Sequence, residues 1–311
     1  MTNRFGATKM RISNRALTGL GIILLYCVLA TGADAITRTV SQSFDAPQLF
    51  CFSGGLVALF SFVALKFGKE YRTGSNISLK PQRIGALAMR SVCFIVSSVF
   101  YFLAFRSLPF AEVFVFIALV PIFAALLSGP ILREYVPWKS WIALLAGVCG
   151  MLLLYPDGIS DLTMPHFYAV MGAFSGAGAM VLARHISRYD KNVLLQVLYP
   201  NLALCIVMTA ILPFVYKPMG LTDFANIAGY AGLLFLARWV LVLGLTRMKA
   251  HVVTLLMNLQ FVVMIGAGAL FFAETPSFNL ILGASIIVFA GIYLLVEPAL
   301  PQTEAGLEPA N

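Results

Sequence analysis

Two arginines stand inside long apolar runs of the sequence. Arg90 lies in GALAMRSVCF (85–94) and Arg238 in FLARWVLVLGL (235–245). An arginine at the centre of a membrane helix costs about 2.5–3.5 kcal/mol on insertion scales, so it favours a bundle interior or a wet cavity. Its planar guanidinium group offers paired donors to a carboxylate or a phosphate. The two residues therefore indicate a site for an anionic group; snorkelling of each side chain to lipid headgroups is the alternative.

The two arginines are predicted at similar depth. Arg90 lies seven residues from Arg83 at one end of its run, and Arg238 lies nine residues from Arg247 at one end of the other. At about 1.5 Å per residue these separations are roughly 10 and 13 Å. Because the two runs are expected to be antiparallel, both distances are measured from the cytoplasmic face.

The acidic residues at membrane level are few. Asp34 and Glu112 are both predicted toward the outer side, away from the two arginines. With no carboxylate expected beside the arginines, the sequence favours an anionic or zwitterionic ligand. A carboxyl group buried in the membrane could exchange a proton, so Asp34 and Glu112 are candidates for proton coupling; solvated acids at helix ends are the alternative.

Polar and aromatic residues near Arg90 share one helix face. Arg90, Phe94, Ser97 and Tyr101 follow the spacing i, i+4, i+7, i+11. Such a stripe favours a cavity over lipid, so we include all four in the candidate substrate site. Three further candidates complete the site: Trp239 next to Arg238, and Asn258 and Gln260 in a later apolar run. For the two amides, a bridge between membrane helices is the alternative.

Composition places the chain in a membrane. Hydrophobic residues make up 60% of 311 and charged residues 11%, whereas a soluble domain carries about 25% charged residues. The net charge of +8 is spread between apolar runs and forms no basic block, which argues against nucleic acid as a partner. The lipid bilayer is therefore the expected partner of the surface.

Enzyme and metal signatures are missing from the sequence. The three histidines form no HExxH and no spaced metal set, and neither GxSxG nor a phosphate loop occurs. The five cysteines lie in apolar runs without CxxC, so we expect neither a disulfide framework nor a metal site. We predict no enzymatic activity and no cofactor.

Ten apolar segments are long enough to cross a ~30 Å hydrocarbon core. Sixteen Lys and Arg residues fall in the segments predicted to be cytoplasmic and three in the outer loops, if the N-terminus is inside. This asymmetry predicts ten spans with both termini cytoplasmic, in a bacterial inner membrane. The predicted spans are 16–37, 47–66, 84–105, 109–130, 138–156, 165–186, 192–214, 224–245, 249–272 and 277–296.

The two halves of the chain resemble each other. A shift of 140 residues places 131–148 on 271–288 and Glu134 on Glu274. Five spans per half make the second copy inverted, which is typical of secondary transporters. Two unrelated runs of spans are the alternative. The predicted division is a basic N-terminus (1–15), a first five-helix repeat (16–156), a linker (157–164), a second repeat (165–296) and a cytoplasmic tail (297–311).

Two segments, one in each half, resemble EamA-like proteins of the drug/metabolite transporter superfamily. The first is YFLAFRSLPFAEVFVFIALVPIFAALLSGPILRE (101–134), and the second is GLTRMKAHVVTLLMNLQFVVMIGAGALFFAETP (244–276). The resemblance implies an all-α polytopic membrane protein of ten helices in two inverted five-helix repeats. It also implies a central cavity lined mainly by helices 1, 3, 4, 6, 8 and 9. The arginine-containing third helix is similar to that of members that move S-adenosylmethionine or riboflavin. Phe261 stands where Pro121 would align, so we expect the ninth span to lack the kink of the fourth.

These observations together predict a secondary transporter. It would move a small organic metabolite, anionic or zwitterionic, such as an amino acid, a carboxylate or a cofactor-like molecule, by alternating access through a central cavity. Two alternatives stay open. A carrier or flippase of a phosphate-bearing lipid would use the same arginines, and a structural membrane protein would tolerate their replacement.

Overall fold

The computed structural model describes residues 14–67, 81–134 without 109 and 118, and 163–272 without 191, 249 and 258. It also describes isolated positions at 136–149 and 278–286. The described part of the chain is helical and contains no strand. Its α-helices are α1 Asn14–Ser41, α2 Ala46–Phe67, α3 Ile84–Ser107, α4 Phe110–Ile117, α5 Val120–Leu132, α6 Met164–Ser187, α7 Val193–Ile211, α8 Leu221–Arg247, α9 Ala250–Met257 and α10 Gln260–Phe272. A 3₁₀ turn, Leu212–Phe214, follows α7.

Six of these helices are long and apolar enough to cross a membrane: α1, α2, α3, α6, α7 and α8. They match the first, second, third, sixth, seventh and eighth predicted spans. The all-α, polytopic character of the protein is thereby confirmed. The fifth and tenth predicted spans, the linker and both termini lie largely or wholly outside the described residues.

Apolar side chains cover the outside of the bundle, while many polar ones are inside it. Val28 on α1 and Ile206 on α7 are more than half exposed, whereas Ser53, Ser61 and Gln48 on α2 are buried. A lipid solvent explains this distribution, since hydrocarbon accepts apolar surface and leaves hydroxyl and amide groups to find partners within the protein.

The fourth and ninth predicted spans are each interrupted, at positions 140 residues apart. α4 ends at Ile117 and α5 begins at Val120; α9 ends at Met257 and α10 begins at Gln260. In the first break, Pro121 stands in the first turn of α5, where its missing N–H costs no helical bond.

The expectation that the ninth span lacks this break is wrong, because neighbouring groups replace the effect of proline. The N–H of Leu259 bonds the carbonyl of Leu256 at 3.0 Å, as that of Leu119 bonds Phe116 at 3.0 Å. The carbonyl of Met257, at the end of α9, accepts from the Cys27 thiol of α1 at 3.9 Å.

The helices pack in matched pairs. α3 lies along α6 as α1 lies along α8, and α2 lies along α7. α4 packs against α10 as α9 packs against α5. The half-length helices therefore contact each other across the two halves of the chain, and the residues that flank their breaks, Ile117, Val120, Met257 and Gln260, line the interior of the bundle.

Polar groups predicted on the same membrane face lie together at the same end. Asp45, between α1 and α2, binds Arg106 at 2.5 Å and Lys217 at 3.3 Å. Partial burial tends to raise the pKa of Asp45, but hydrogen bonds from these two cations outweigh it and lower the pKa below its usual value. Residues of two predicted cytoplasmic loops contact each other away from Asp45, where Glu134 binds Arg188 at 2.6 Å.

Candidate functional site

A cavity of about 230 Å³ lies inside the bundle. Its walls come from α1, α3, α6, α7 and α8, with smaller parts from α2 and from the two interrupted segments at Ile117, Val120 and Met257. Seven residues singled out in the sequence line it together: Asp34, Arg90, Phe94, Ser97, Tyr101, Arg238 and Gln260.

Arg90 is held by the backbone of α7. Its side chain is buried, with 9% of the residue exposed. Nη1 donates to the main-chain oxygen of Gln196. This carbonyl is available because Pro200, one turn further along α7, has no N–H to donate to it. The Nε atom of Arg90 is buried and has no partner in the described part of the protein.

Arg238 lies between an aromatic ring and an amide. Its guanidinium carbon is 4.3 Å from the ring centroid of Phe94, a cation–π arrangement. Nη1 donates to Oδ1 of Asn201, and the Asn201 Nδ2 donates to the carbonyl of Val197 at 2.7 Å. The stripe on α3 thus carries one arginine and supports the other.

Neither arginine of the cavity has a carboxylate within 4 Å among the residues that the structure describes. Their acceptors are a peptide carbonyl and an amide oxygen. Neutral acceptors satisfy hydrogen bonds but leave both guanidinium groups without a carboxylate in contact, and the one acid that lines the described cavity, Asp34, offsets only one of the two positive charges. Such a pair of cations in a membrane interior is suited to holding a negatively charged group.

Asp34 shares the cavity with the arginines. The sequence predicted a helix ending at residue 37, which would leave a solvated acid near its end. This expectation is wrong for Asp34, since α1 continues to Ser41 and the residue is half-buried. Its Oδ2 accepts from Nε2 of Gln260 at 3.0 Å. The first turn of α10 therefore supplies the partner of the acid.

Tyr101 is fixed by the close approach of α3 to α6. A side-chain carbon on Gly172 would lie 2.9 Å from Cδ1 of the Tyr101 ring, so the contact requires glycine. Ser97, one turn away, donates to the carbonyl of Gly172 at 2.9 Å. The Tyr101 hydroxyl is buried, lines the cavity and has no hydrogen-bond partner in the described part of the chain.

Three residues that line the cavity carry buried polar atoms without a partner in the described part of the chain. Besides the Arg90 Nε and the Tyr101 hydroxyl, the Gln196 Oε1 is buried without a partner in the described ranges. Buried polar groups normally have partners, so these atoms mark places where a polar occupant would bind.

Comparison with known proteins agrees with this geometry. Residues 17–155 match the EamA-like transporter family. Over 291 residues the chain is 25% identical to the "Riboflavin transporter" of Vibrio cholerae serotype O1, covering 92% of this chain and 95% of that protein. The first half of the chain is thus similar to EamA-like transporters, and nearly its whole length is similar to a transporter. A solved crystal structure, 18% identical, covers 91% of this chain with 98% of its own, and its TM-score of 0.68 shows a shared fold.

These similarities agree with the resemblance noted in the sequence and indicate a small-molecule transporter, not an enzyme. In the described part of the chain, no group of three or more His, Cys, Asp or Glu residues could hold a metal ion. The chemistry of the cavity is that of binding.

The sequence missed the contribution of α7. The resemblance implied a cavity lined mainly by helices 1, 3, 4, 6, 8 and 9, yet Gln196, Pro200 and Asn201 of α7 line it too. A signal was present, because two amides flank a proline inside an apolar helix. Tyr26 on α1 and Tyr230 on α8 also line the cavity and carried no comparable signal.

Three predicted site residues are not placed at the cavity. Trp239 is 41% exposed and stacks on Phe235 with ring centroids 6.0 Å apart. Asn258 lies outside the described residues. Glu112 belongs to α4, but its side chain is outside the description. The last two stay predictions.

Proposed function

We propose that this protein is a secondary transporter that moves a small anionic or zwitterionic metabolite across the bacterial inner membrane by alternating access. The supporting observation is that Arg90 and Arg238 line one cavity and donate only to neutral acceptors among the described residues. Phe94, Ser97, Tyr101 and Gln260 would complete the binding site, and Asn258 stays a candidate from the sequence.

The proposal includes ten spans in two inverted repeats, 16–156 and 165–296, with both termini cytoplasmic. Helix bounds support it: α4 and α9, and likewise α5 and α10, are displaced by 140 residues at both ends. The packing supports it as well. Exchanging each helix for its counterpart in the other half turns the α3–α6 contact into α8–α1 and the α4–α10 contact into α9–α5.

Alternating access needs two ends that open in turn, and both ends carry corresponding contacts. Arg38 of α1 donates to the carbonyl of Leu108 after α3, at 2.9 Å. Arg184 of α6 donates to the carbonyl of Leu245 in the last turn of α8, at 2.8 Å. In each half, an arginine of the first helix thus binds the end of the third. We propose that these contacts are released alternately.

Proton coupling is assigned to Asp34. It is the acid that lines the cavity, and its partner is the uncharged amide of Gln260. Protonation of this carboxyl would add a positive charge to the site that binds the substrate. Glu112 stays a second candidate.

Riboflavin is a second candidate substrate, favoured by the name of the relative that spans nearly the whole chain. Its flat ring could lie among Phe94, Tyr101 and Tyr230, and its ring carbonyls could accept from arginine. The ring is uncharged, however, whereas the cavity has two cations that contact no carboxylate among the described residues. Flavin mononucleotide has the same ring system with a phosphate at the end of its ribityl chain, so its comparison with riboflavin separates recognition of the ring from recognition of a negative charge.

The test is thermal unfolding of the purified protein with riboflavin, flavin mononucleotide, citrate, glutamate and choline. A ligand at 100 times its Kd adds about 2.7 kcal/mol of stability. We expect an anion or zwitterion to raise the Tm of the wild type but not of Arg90→Gln or Arg238→Gln. Arg106→Gln is the matched control, since Arg106 binds Asp45 outside the cavity.

The other outcomes decide between the alternatives. Stabilisation of all variants by choline or riboflavin would contradict an anion site. Transfer of labelled phospholipid between leaflets of proteoliposomes, lost in the arginine variants, would indicate the flippase. If no ligand binds and Arg90→Leu and Arg238→Leu leave the protein unchanged, it is structural.

A further inference from the structure

α7 supplies both acceptors of the cavity arginines. The main-chain oxygen of Gln196 accepts from Arg90, and the side-chain oxygen of Asn201 accepts from Arg238. Gln196 and Asn201 are each 1% exposed, so water does not compete for them from outside. Two arginines from different helices, α3 and α8, are therefore oriented by one turn of a third.

Pro200 explains why a main-chain oxygen is free to do this. In an α-helix the N–H of residue 200 would bond the carbonyl of residue 196. Proline has no N–H, so the Gln196 carbonyl is left without its helical donor and Arg90 takes that place. The proline thus creates an acceptor directed at the cavity in addition to bending the helix.

Asn201 provides an acceptor of defined direction and no charge. Its Nδ2 donates to the Val197 carbonyl at 2.7 Å, which leaves Oδ1 facing Arg238. A carboxylate at the same place would form an ion pair and neutralise the guanidinium. A guanidinium has five N–H donors, and each of these contacts uses one nitrogen. Both charge and donors are left for a ligand.

We propose that α7 is the positioning element of the anion site. Pro200 and Asn201 orient Arg90 and Arg238 without neutralising them, and this gives the cavity its preference for negatively charged groups over uncharged ones of the same shape. The inference rests on the proposed function, in which the two arginines bind the substrate. It adds that selectivity for charge depends on uncharged groups of α7.

The first experiment needs no ligand. Asn201→Asp and Asn201→Leu are made in the wild type and in Arg238→Gln, and the Tm of each purified protein is measured. With Arg238 present we expect Asn201→Asp to melt higher than Asn201→Leu, because the carboxylate pairs with a buried cation. In Arg238→Gln we expect the order to reverse, because the carboxylate is then buried alone. The same order in both backgrounds would overturn the proposal.

The second experiment measures selectivity with flavin mononucleotide and riboflavin. Asn201→Asp should weaken flavin mononucleotide about tenfold or more, equivalent to about 1.4 kcal/mol, and change riboflavin less. Pro200→Ala should act in the same direction, because a new N–H competes with Arg90 for the Gln196 carbonyl. Pro130→Ala, at an exposed position within α5, is the matched control and should have no such effect. Equal weakening of both flavins by Asn201→Asp would contradict the assignment.

The two proposals fail in different ways. If no anion stabilises the wild type, the proposed function is wrong, yet the reversal of Tm order would still be seen. If anions bind but the order does not reverse, the arginines bind the substrate and α7 does not position them.

Discussion

Asp34 is paired with an amide and not with one of the cations of its own cavity. The amide of Gln260 can donate to an ionised carboxylate through its nitrogen or, after rotation, accept from a protonated one through its oxygen. An arginine partner would stabilise only the ionised form. The observed pair therefore tolerates both protonation states, as a proton-coupled transporter requires.

Asp34→Asn should abolish coupling while preserving binding. We expect proteoliposomes with this variant to exchange substrate between inside and outside but to lose accumulation driven by a pH gradient. Asp223→Asn, at the exposed start of α8, is the control and should accumulate normally. Gradient-driven accumulation by Asp34→Asn would remove Asp34 from the coupling step.

At the residue scale, the arginines could be predicted from the sequence and their partners could not. Arg90 and Arg238 are conspicuous because charge is rare in apolar runs. The acceptors are a backbone carbonyl and an amide on a helix treated as peripheral, Gln196 and Asn201. Which face of an apolar helix points inward depends on its neighbours, and the Gln196 oxygen has no side-chain signature. Asp34 was misplaced because the end of α1 was predicted too early.

At the scale of elements, the seam between α3 and α6 controls the position of the α3 stripe. Three glycines on α6, Gly172, Gly176 and Gly178, lie against Tyr101, Ser97 and Cys93 of α3 and let the two backbones approach closely. Tyr101 and Ser97 contact α6 at Gly172. The positions of these two site residues therefore depend on the packing of α3 against α6.

Gly172→Ala should therefore displace Tyr101 and weaken substrate binding. The new methyl group would lie 2.9 Å from the Tyr101 ring, and overpacking of this kind costs about 1–3 kcal/mol. We expect a lower Tm and a raised KM for uptake. Gly229→Ala is the matched control, since nothing lies within 4 Å of that position. An unchanged KM would mean that Tyr101 does not contribute to binding.

The breaks in the half-length helices show where a sequence pattern misleads at this scale. Pro121 made the first break predictable, and its absence at Phe261 suggested a continuous second helix. Helix continuity also depends on whether freed backbone and polar groups find partners, and α1 supplies them through Cys27 and Asp34. Those contacts join residues more than 200 positions apart and cannot be inferred from local sequence.

At the scale of the whole molecule, Glu134 joins three helices at one end. It accepts from Arg188 at 2.6 Å and from Arg184 at 3.5 Å. Arg188 also binds the carbonyl of Leu132 at the end of α5, and Arg184 that of Leu245 near the end of α8. The Glu134 side chain is only 9% exposed, and it accepts from both arginines that bind the ends of α5 and α8.

Glu134→Gln should open that end. With a cysteine introduced at Ser98 in the cavity and the native cysteines replaced, we expect an impermeant maleimide to label the variant several-fold faster from the side of Glu134. Asp45→Asn, which breaks the ion pairs of the opposite end, should instead raise labelling from the other side. Equal labelling of both variants from both sides would show that these ion pairs do not hold the ends closed.

The uncompensated arginines also have an electrical consequence. With Asp34 ionised, the three charges of the empty cavity sum to one positive charge, and a bound monoanion brings them to zero. Moving one elementary charge across the membrane is worth about 2.3 kcal/mol per 100 mV. When Asp34 is protonated in the loaded state, as proton coupling through this residue requires, the charge returns to one positive, so the membrane voltage would act on the loaded and the empty transporter alike.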